Sequence, residues 1–435
     1  MVAAVKHSKK TAIWNRPITG KSLVLFVLFF TVVMEALIAE LHFPESIRYI
    51  NDLFILALFL AMAVKPKQTM LRTHCRALPW LTLLIVLVFT LSAAIRGVAP
   101  ALYLWALRNT FRGFVFFYAC VTYLDREDLP GIFNKLFVLQ IVSLFLALYQ
   151  HYGLGLIQDN VGGIFGHGNG AGVNTFNALI VVYYLNRYIS GEEPVWKLVA
   201  VSISALIIAA LAEEKVSYFY LLIAFAVGLL FTKASAKTAV ALLIAVAAGY
   251  VGISILQSLF PNIMEGMGSL EAIDKYLTAS WDDSYVIPRV GAFTYITNIF
   301  FQNDPIGLLL GVGFGNGETS SFAALNGPFY LMYGWMHYRW FTHQWVFIEC
   351  GWIGFISYLS FFVALGIWLL KERFVADDDR AKPYLVMGIA LTVITIISIW
   401  YNATLKVDMC YLAFFSLSIG IVSLNTREAG ATQHV

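Results

Sequence analysis

The chain places a small set of charged residues where charge is costly. Arg108 and Arg112 in "LRNTFRGFVFF" are four residues apart, so they share one helix face within an apolar stretch. Such a pair needs an anion. Either it forms structural salt bridges, with Glu35 and Asp52 available from other segments, or it clamps a phosphate, which guanidinium matches in bidentate geometry. Lys215 in "LAEEKVSYFY" follows Glu213 and Glu214 in a short polar break between apolar runs. It reads as a local ion pair, or as a cation presented to an anionic substrate and positioned by the glutamates. Arg289 lies in "SYVIPRVGAFTYITNIFFQNDP", where Pro288 marks a helix start and Val290, Phe293, Ile296 and Phe300 form an apolar stripe. A cation at a helix start opposes the dipole, which points to a purpose beyond the helix; the plainer reading is a solvated loop arginine.

His343 in "FTHQWVFIECGWIGF" titrates near neutrality and suits a general base, against the alternative of a loose interfacial histidine. His337 and Arg339 precede it, and Glu349 follows. "VGGIFGHGNGAGVNTFN" carries His167, Asn169 and Asn174 among its glycines; it is either a turn with a helix cap or a lip that contacts sugar hydroxyls. "GLLLGVGFGNGETSS" alternates Gly311, Gly313, Gly315 and Gly317, as a flexible turn or as a backbone cradle for a ligand. No Lys-Ser/Thr follows, so it is not a nucleotide loop. "WDDS" at Trp281–Ser284 is a solvated acidic pair or a divalent-cation site. No His/Cys/Asp spacing fits zinc, and no nucleophile elbow is present. Cys75, Cys120, Cys350 and Cys410 are scattered without a CxxC pair, so no disulfide framework is signalled.

The elements that position these residues follow from composition. Of 435 residues, 60% are hydrophobic and 13% charged, and the mean hydropathy is +0.75. Soluble domains average roughly a quarter charged residues, so this is an all-α polytopic membrane protein. The net charge of +3 points to no nucleic-acid partner, and 15% aromatic content suits interfacial belts. A bilayer core takes about 20 apolar residues per helix. Twelve segments qualify: 22–39, 47–64, 78–95, 101–124, 131–150, 171–189, 197–212, 216–232, 237–256, 344–370, 384–401 and 409–424. The first reads as a retained helix, because no small-residue cleavage site follows it. With the N-terminus inside, all of the 29 basic residues except Arg48, Arg96, Arg108, Arg112, Lys215, Lys275, Arg289, Arg339 and Lys406 fall on the inner side. That bias predicts two cytoplasmic termini. The chain then divides into a cytoplasmic tail (1–21), nine helices (22–256), a large extracytoplasmic loop carrying catalytic elements (257–343), three helices (344–424) and a second cytoplasmic tail (425–435). His343 is expected at the outer surface.

Twelve helices, a large outer loop between the ninth and tenth, and a His-Gln pair leading into "ECGWIGFISYL" resemble the O-antigen ligase and polymerase superfamily. "FPESIRYINDLFILALF", "LRNTFRGFVFFYAC", "VGGIFGHGNGAGVN", "LAEEKVSYFY" and "LLGVGFGNG" are similar, more specifically, to Wzy-type polymerases of exopolysaccharide, capsule and O-antigen repeat units. The likeness runs from about Phe43 to Leu370. It implies an inverting glycosyl transfer, without metal or cofactor, on the outer face of a bacterial cytoplasmic membrane. The donor is then a glycan on undecaprenyl diphosphate. The resemblance assigns the diphosphate to Arg289 and Lys215 and activation of the acceptor hydroxyl to His343. Arg108, Arg112, Asn169, Glu214 and Arg339 are expected among the substrate-binding residues. Many ligases carry arginine at the position of Lys215; lysine keeps the charge and loses the bidentate fork, which favours the polymerase branch. The implied partners are lipid-linked glycans, membrane lipids, and a flippase and chain-length regulator of the same pathway. Two other readings stay open: a ligase that transfers the glycan to lipid A-core, and a transporter of polysaccharide or lipid-linked sugar. Transporters usually show matched halves, and no internal repeat is visible here.

Overall fold

The computed structural model describes residues 19–232, 235–259, 286–302 and 304–426. Among these every regular element is helical. The long helices are α1 (Gly20–Ala39), α2 (Ile50–Val64), α4 (Ala77–Ile95), α5 (Pro100–Tyr123), α6 (Leu129–Leu148), α7 (Gly170–Ile189), α8 (Val195–Leu211), α9 (Lys215–Leu230), α10 (Ala236–Leu259), α14 (Thr342–Val375), α15 (Lys382–Tyr401) and α16 (Cys410–Val422). Short helices α3 (Pro66–Thr73), α11 (Ala292–Phe300), α12 (Pro305–Leu310) and α13 (Pro328–Tyr333) fill the connections. Each of the twelve apolar segments is therefore helical. Among the described residues six helices, α1, α2 with its leading turn, α4, α6 with its flanking turns, α14 and α15, are long and apolar enough to cross a membrane by length and composition. Helices α8, α9, α10 and α16 are apolar but shorter.

Helices α5 and α7 are less apolar for a reason that matters. They carry Asn109, Arg112, Asn174, Asn177 and Asn186, all buried. These are interior helices, and their polar side chains face protein. Helix α7 packs on α8, α9 and α15, while α16 lies against α5 and α15 and α14 lies against α4 and α15. Aromatic rings fill the contacts, as where Phe133 stacks on Tyr183 at 3.7 Å between centroids.

Helix α14 breaks at Gly351, which has φ 60°. The break orphans carbonyls of the preceding turn, and the glycine-rich segment supplies donors for them: Val312 N–H donates to Ile348 O at 2.8 Å and Gly313 N–H to Glu349 O at 3.1 Å. The two backbones touch. A Cβ on Gly351 would stand 2.4 Å from the Leu309 carbonyl carbon, and one on Gly311 would stand 2.3 Å from that of Glu349.

Two expectations about the large loop change. The loop helix does not open at Pro288: Gly291 sits at φ 81°, a left-handed residue that cannot propagate an α-helix, and α11 begins at Ala292. Arg289 therefore precedes the helix, and its supposed conflict with the dipole lapses. The stripe also loses Val290, which is exposed, whereas Ile296 is fully buried. Phe293 packs on Phe347, Trp352 and Phe355, so α11 lies on the bundle through α14. The acidic pair of Trp281–Ser284 and the extreme tails lie outside the described residues.

One end of the bundle is tied by ion pairs. Lys21 pairs with Asp128, Arg72 with Asp125, Arg126 with Asp378, and Lys197 with Glu193. The opposite end opens.

Candidate functional site

A cavity of about 1340 Å³ occupies that opposite end. Its wall is assembled from the end of α1, the turn before α2, the first half of α5, the glycine-rich loop before α7, the α8–α9 turn, residues 286–289, the segments around 319–322 and 337–345, and the α15–α16 connection. Six of the sequence-predicted site residues line it: Arg108, Arg112, Asn169, Glu214, Arg289 and Arg339. Lys215 and His343 do not.

The arginines of the wall meet carboxylates and aromatic rings. Arg108 pairs with Asp52 and lies over the rings of Tyr49 and Trp105, at 5.4 and 4.7 Å. Arg112 donates to Asp408 at 2.6 Å, with Asp52 at 3.8 Å, and is only 6% exposed. The pair thus makes salt bridges, and both arginines also line the cavity. Arg289 and Arg339 also lie over aromatic faces: Arg289 over Phe341 at 5.0 Å and Tyr401 at 4.8 Å, and Arg339 over Tyr330 at 4.5 Å and Trp345 at 5.8 Å. A guanidinium lying over a ring face is held there by the attraction between its charge and the ring's π-face.

Glu214 is delivered by a tight reversal. Helix α8 ends at Leu211, Glu213 takes φ 56°, Glu213 N–H donates to Ala210 O at 3.2 Å and Glu214 N–H to Ala209 O at 2.8 Å. This pattern closes a helix C-terminus and turns the next side chain inward. Glu214 is 7% exposed and sits on the cavity wall. Its Oε2 accepts from Asn174 Nδ2 at 2.6 Å, and Asn174 Oδ1 in turn accepts from the Ser217 hydroxyl. Its Oε1 lies against Gly170, where a Cβ would stand 1.5 Å away. Burial pushes this carboxyl up to about 7; Asn174 and Arg289 pull it down and Asp159 pushes it further up. Asp159, across the same corner, is raised by desolvation and Glu213 and lowered by Lys215 and Arg289.

His343 is not at a surface. It is fully buried in the first turn of α14, with Nδ1 3.2 Å from Ile399 O. Phe293, Phe341 and Trp400 surround its ring. These aromatics come from α11, the chain before α14, and α15, so the enclosure is tertiary. Lys215 pairs with Glu213 at 3.3 Å at the start of α9. Asn169 caps α7, accepting from Gly172 N–H at 3.1 Å, while still facing the cavity. Two other histidines line the wall: His167, 3.2 Å from Glu40, and His337, stacked on Trp340 at 4.1 Å.

The alternating glycines lie in a run of turns, and N–H groups of the run are turned on protein. Gly315 and Gly317 N–H groups donate to Glu349 Oε1 at 3.0 and 3.2 Å. Lys406 joins Glu349 at 2.9 Å and Glu318 at 2.8 Å, with all three side chains fully buried. Sequence reading missed Lys406, Glu318 and Asp408, because their partners lie far along the chain. A scan against protein-family models finds no match for the chain, and a search of curated proteins finds none either.

Proposed function

We propose that the chain is a glycosyltransferase of the outer face of a bacterial cytoplasmic membrane, joining oligosaccharide repeat units carried on undecaprenyl diphosphate. All twelve long helices cross the membrane in this reading, both termini are cytoplasmic, and the cavity faces outward. The observation that carries it is the cavity, whose wall combines Arg48, Arg289 and Arg339 with carboxylates and aromatic rings. Its 1340 Å³ exceeds the roughly 300–1,000 Å³ of ordinary small-molecule sites, which suits two glycans at once. A diphosphate leaving group needs its growing charge met by fixed cations, and Arg289 is the residue assigned to it. The acceptor hydroxyl needs a base within hydrogen-bond reach. The aromatic faces suit sugar rings, and Asn169 offers its amide NH2 to hydroxyls.

The test uses full-length protein in liposomes, supplied with lipid-linked repeat units extracted from cells that lack the gene. Longer lipid-linked glycan and free undecaprenyl diphosphate are the expected products, and Arg289→Ala should lower turnover by about 100-fold or more. Passage of the unchanged substrate across the bilayer would instead make the protein a transporter. Full-length polymer held on undecaprenyl diphosphate in the deletion cells would make it a ligase. Engineered single cysteines fix the orientation: position 320, on the cavity wall, should react with an impermeant thiol reagent in intact cells, and position 378 should not.

A further inference from the structure

We infer that Glu214 is the catalytic base of the transfer reaction; the assignment rests on the glycosyltransferase reading and names the residue that takes the acceptor's proton. A base for this reaction must face the cavity, stand near the diphosphate cation, be fixed in direction, and be free to gain and lose a proton. His343 fails the first condition, since its ring is enclosed and absent from the wall. The other wall residues fail one of the rest. Glu35 is held by Arg48 at 2.9 Å and Asp408 by Arg112 at 2.6 Å, so each carboxylate is already engaged by a cation. His167 is engaged by Glu40, and His337 is an exposed ring stacked on Trp340. Glu45 and Asp159 are exposed, so water competes for their direction.

Glu214 meets all four conditions. It is buried yet opens on the cavity. Its direct side-chain hydrogen-bond donor is the neutral amide of Asn174, itself oriented by Ser217, so direction is fixed without a cation clamp. The close fit of Oε1 against Gly170 removes the alternative rotamer space on that side. Arg289 acts on the carboxyl electrostatically from the same corner. The charged and titratable groups around it are Asp159, Arg289, Tyr220 of α9, and the adjacent Glu213 and Lys215. Desolvation leads among these influences and brings the group to about 7, where a base is both ionised and basic at neutral pH.

The Glu214 carboxylate takes the proton of the acceptor hydroxyl. The hydroxyl oxygen forms a bond to the donor's anomeric carbon from the face opposite the diphosphate. The bond from that carbon to the diphosphate oxygen breaks, and its electron pair leaves with undecaprenyl diphosphate beside Arg289. Glu214, now protonated, returns the proton to water.

The experiment measures turnover of the extracted lipid-linked repeat units by the reconstituted full chain. It also measures binding of undecaprenyl diphosphate and the pH profile of turnover. Glu214→Gln keeps shape and can still accept from Asn174. Its turnover should fall by about 100-fold or more while undecaprenyl diphosphate binding stays within about threefold. Wild-type turnover should drop tenfold per pH unit below about 7. Glu214→Asp should recover part of the rate with a displaced acid limb, and it decides the matter if the glutamine variant fails to fold. Turnover of Glu214→Gln near wild type, parallel loss of diphosphate binding, or an unmoved acid limb in Glu214→Asp would each overturn the assignment alone. A wild-type protein that binds the lipid and forms no product would overturn the parent reading, and Glu214 with it.

Discussion

Glu349 and Glu214 are both buried carboxyls beside one cavity, yet their surroundings differ in kind. Glu349 is closed off: two glycine N–H groups meet one oxygen and the Lys406 ammonium meets the other. Lys406 extends the network to Glu318, whose second oxygen accepts from Asn109 at 2.7 Å. This ties α5, the glycine segment, α14 and the α15–α16 connection into one knot. Glu214 has an amide on one oxygen, a glycine against the other, and the cavity in front. Depth of burial is similar; the donors are not. A carboxyl met by a cation and backbone amides is part of the frame. One met by a neutral amide at a cavity wall is equipped to move a proton.

The largest effect should come from breaking the closed centre. Lys406→Met leaves two buried carboxyls facing each other, and removal of one partner from a buried ionic network costs roughly 3–5 kcal/mol. Purified protein should melt far lower or fail to accumulate, and adding Glu318→Gln with Glu349→Gln should restore part of the loss. An unchanged melting curve for Lys406→Met would remove the structural side of the contrast.

Gly351→Ala comes next. A left-handed φ strains alanine, and its Cβ would fall 2.4 Å from the Leu309 carbonyl carbon. Strain of about 1–3 kcal/mol is expected before any shift of the crossing backbones is counted. Thermal unfolding checks it, with Gly366→Ala, where the nearest foreign atom would be a Thr392 methyl at 3.3 Å, as the milder control.

Gly170→Ala probes the open centre without altering charge. The new methyl would occupy the place of Glu214 Oε1, so the carboxyl must swing away. Stability should change little, because the displaced atoms are the end of a side chain. Turnover should fall by about 10- to 100-fold, the scale attached to a misplacement of about 1 Å at a reacting group. Equal turnover with a displaced carboxyl would show that the direction of Glu214 is immaterial.

Much of the frame was legible in the sequence. Apolar runs are local signals, so all twelve helices could be counted from Ser22 to Leu424. The alternating glycines announced a special backbone, but their target is Glu349, more than thirty residues downstream. Arg108 and Arg112 were visible as a pair needing anions, and Asp52 was among those considered. Asp408 was not, since it lies 296 residues from Arg112. The burial of His343 was hidden for the same reason: rings from α11 and α15 enclose it, and no local pattern encodes that. Gly291 ended the helix reading at Pro288 because a glycine can be helical or left-handed, and sequence periodicity does not distinguish the two.

The smallest expected effect tests whether Lys215 belongs to the open centre. It stands next to Glu214 in sequence, but its ammonium lies 3.3 Å from Glu213 and it is absent from the cavity wall. A cation holding the donor's diphosphate would show itself in binding: Lys215→Gln would then weaken undecaprenyl diphosphate by tenfold or so, about 1.4 kcal/mol. A cation that only sets the local field would act differently. Its positive charge favours ionised carboxyls nearby, Asp159 among them. Removing it makes Asp159 harder to ionise and leaves the desolvation and hydrogen bond of Glu214 in place, so the acid limb of turnover should move by less than about one pH unit. Lys215→Arg should restore the limb, since charge rather than fork geometry is what acts. The structure favours the second outcome. Loss of diphosphate binding with an unmoved limb would shift Lys215 into the substrate site and enlarge the open centre by one residue.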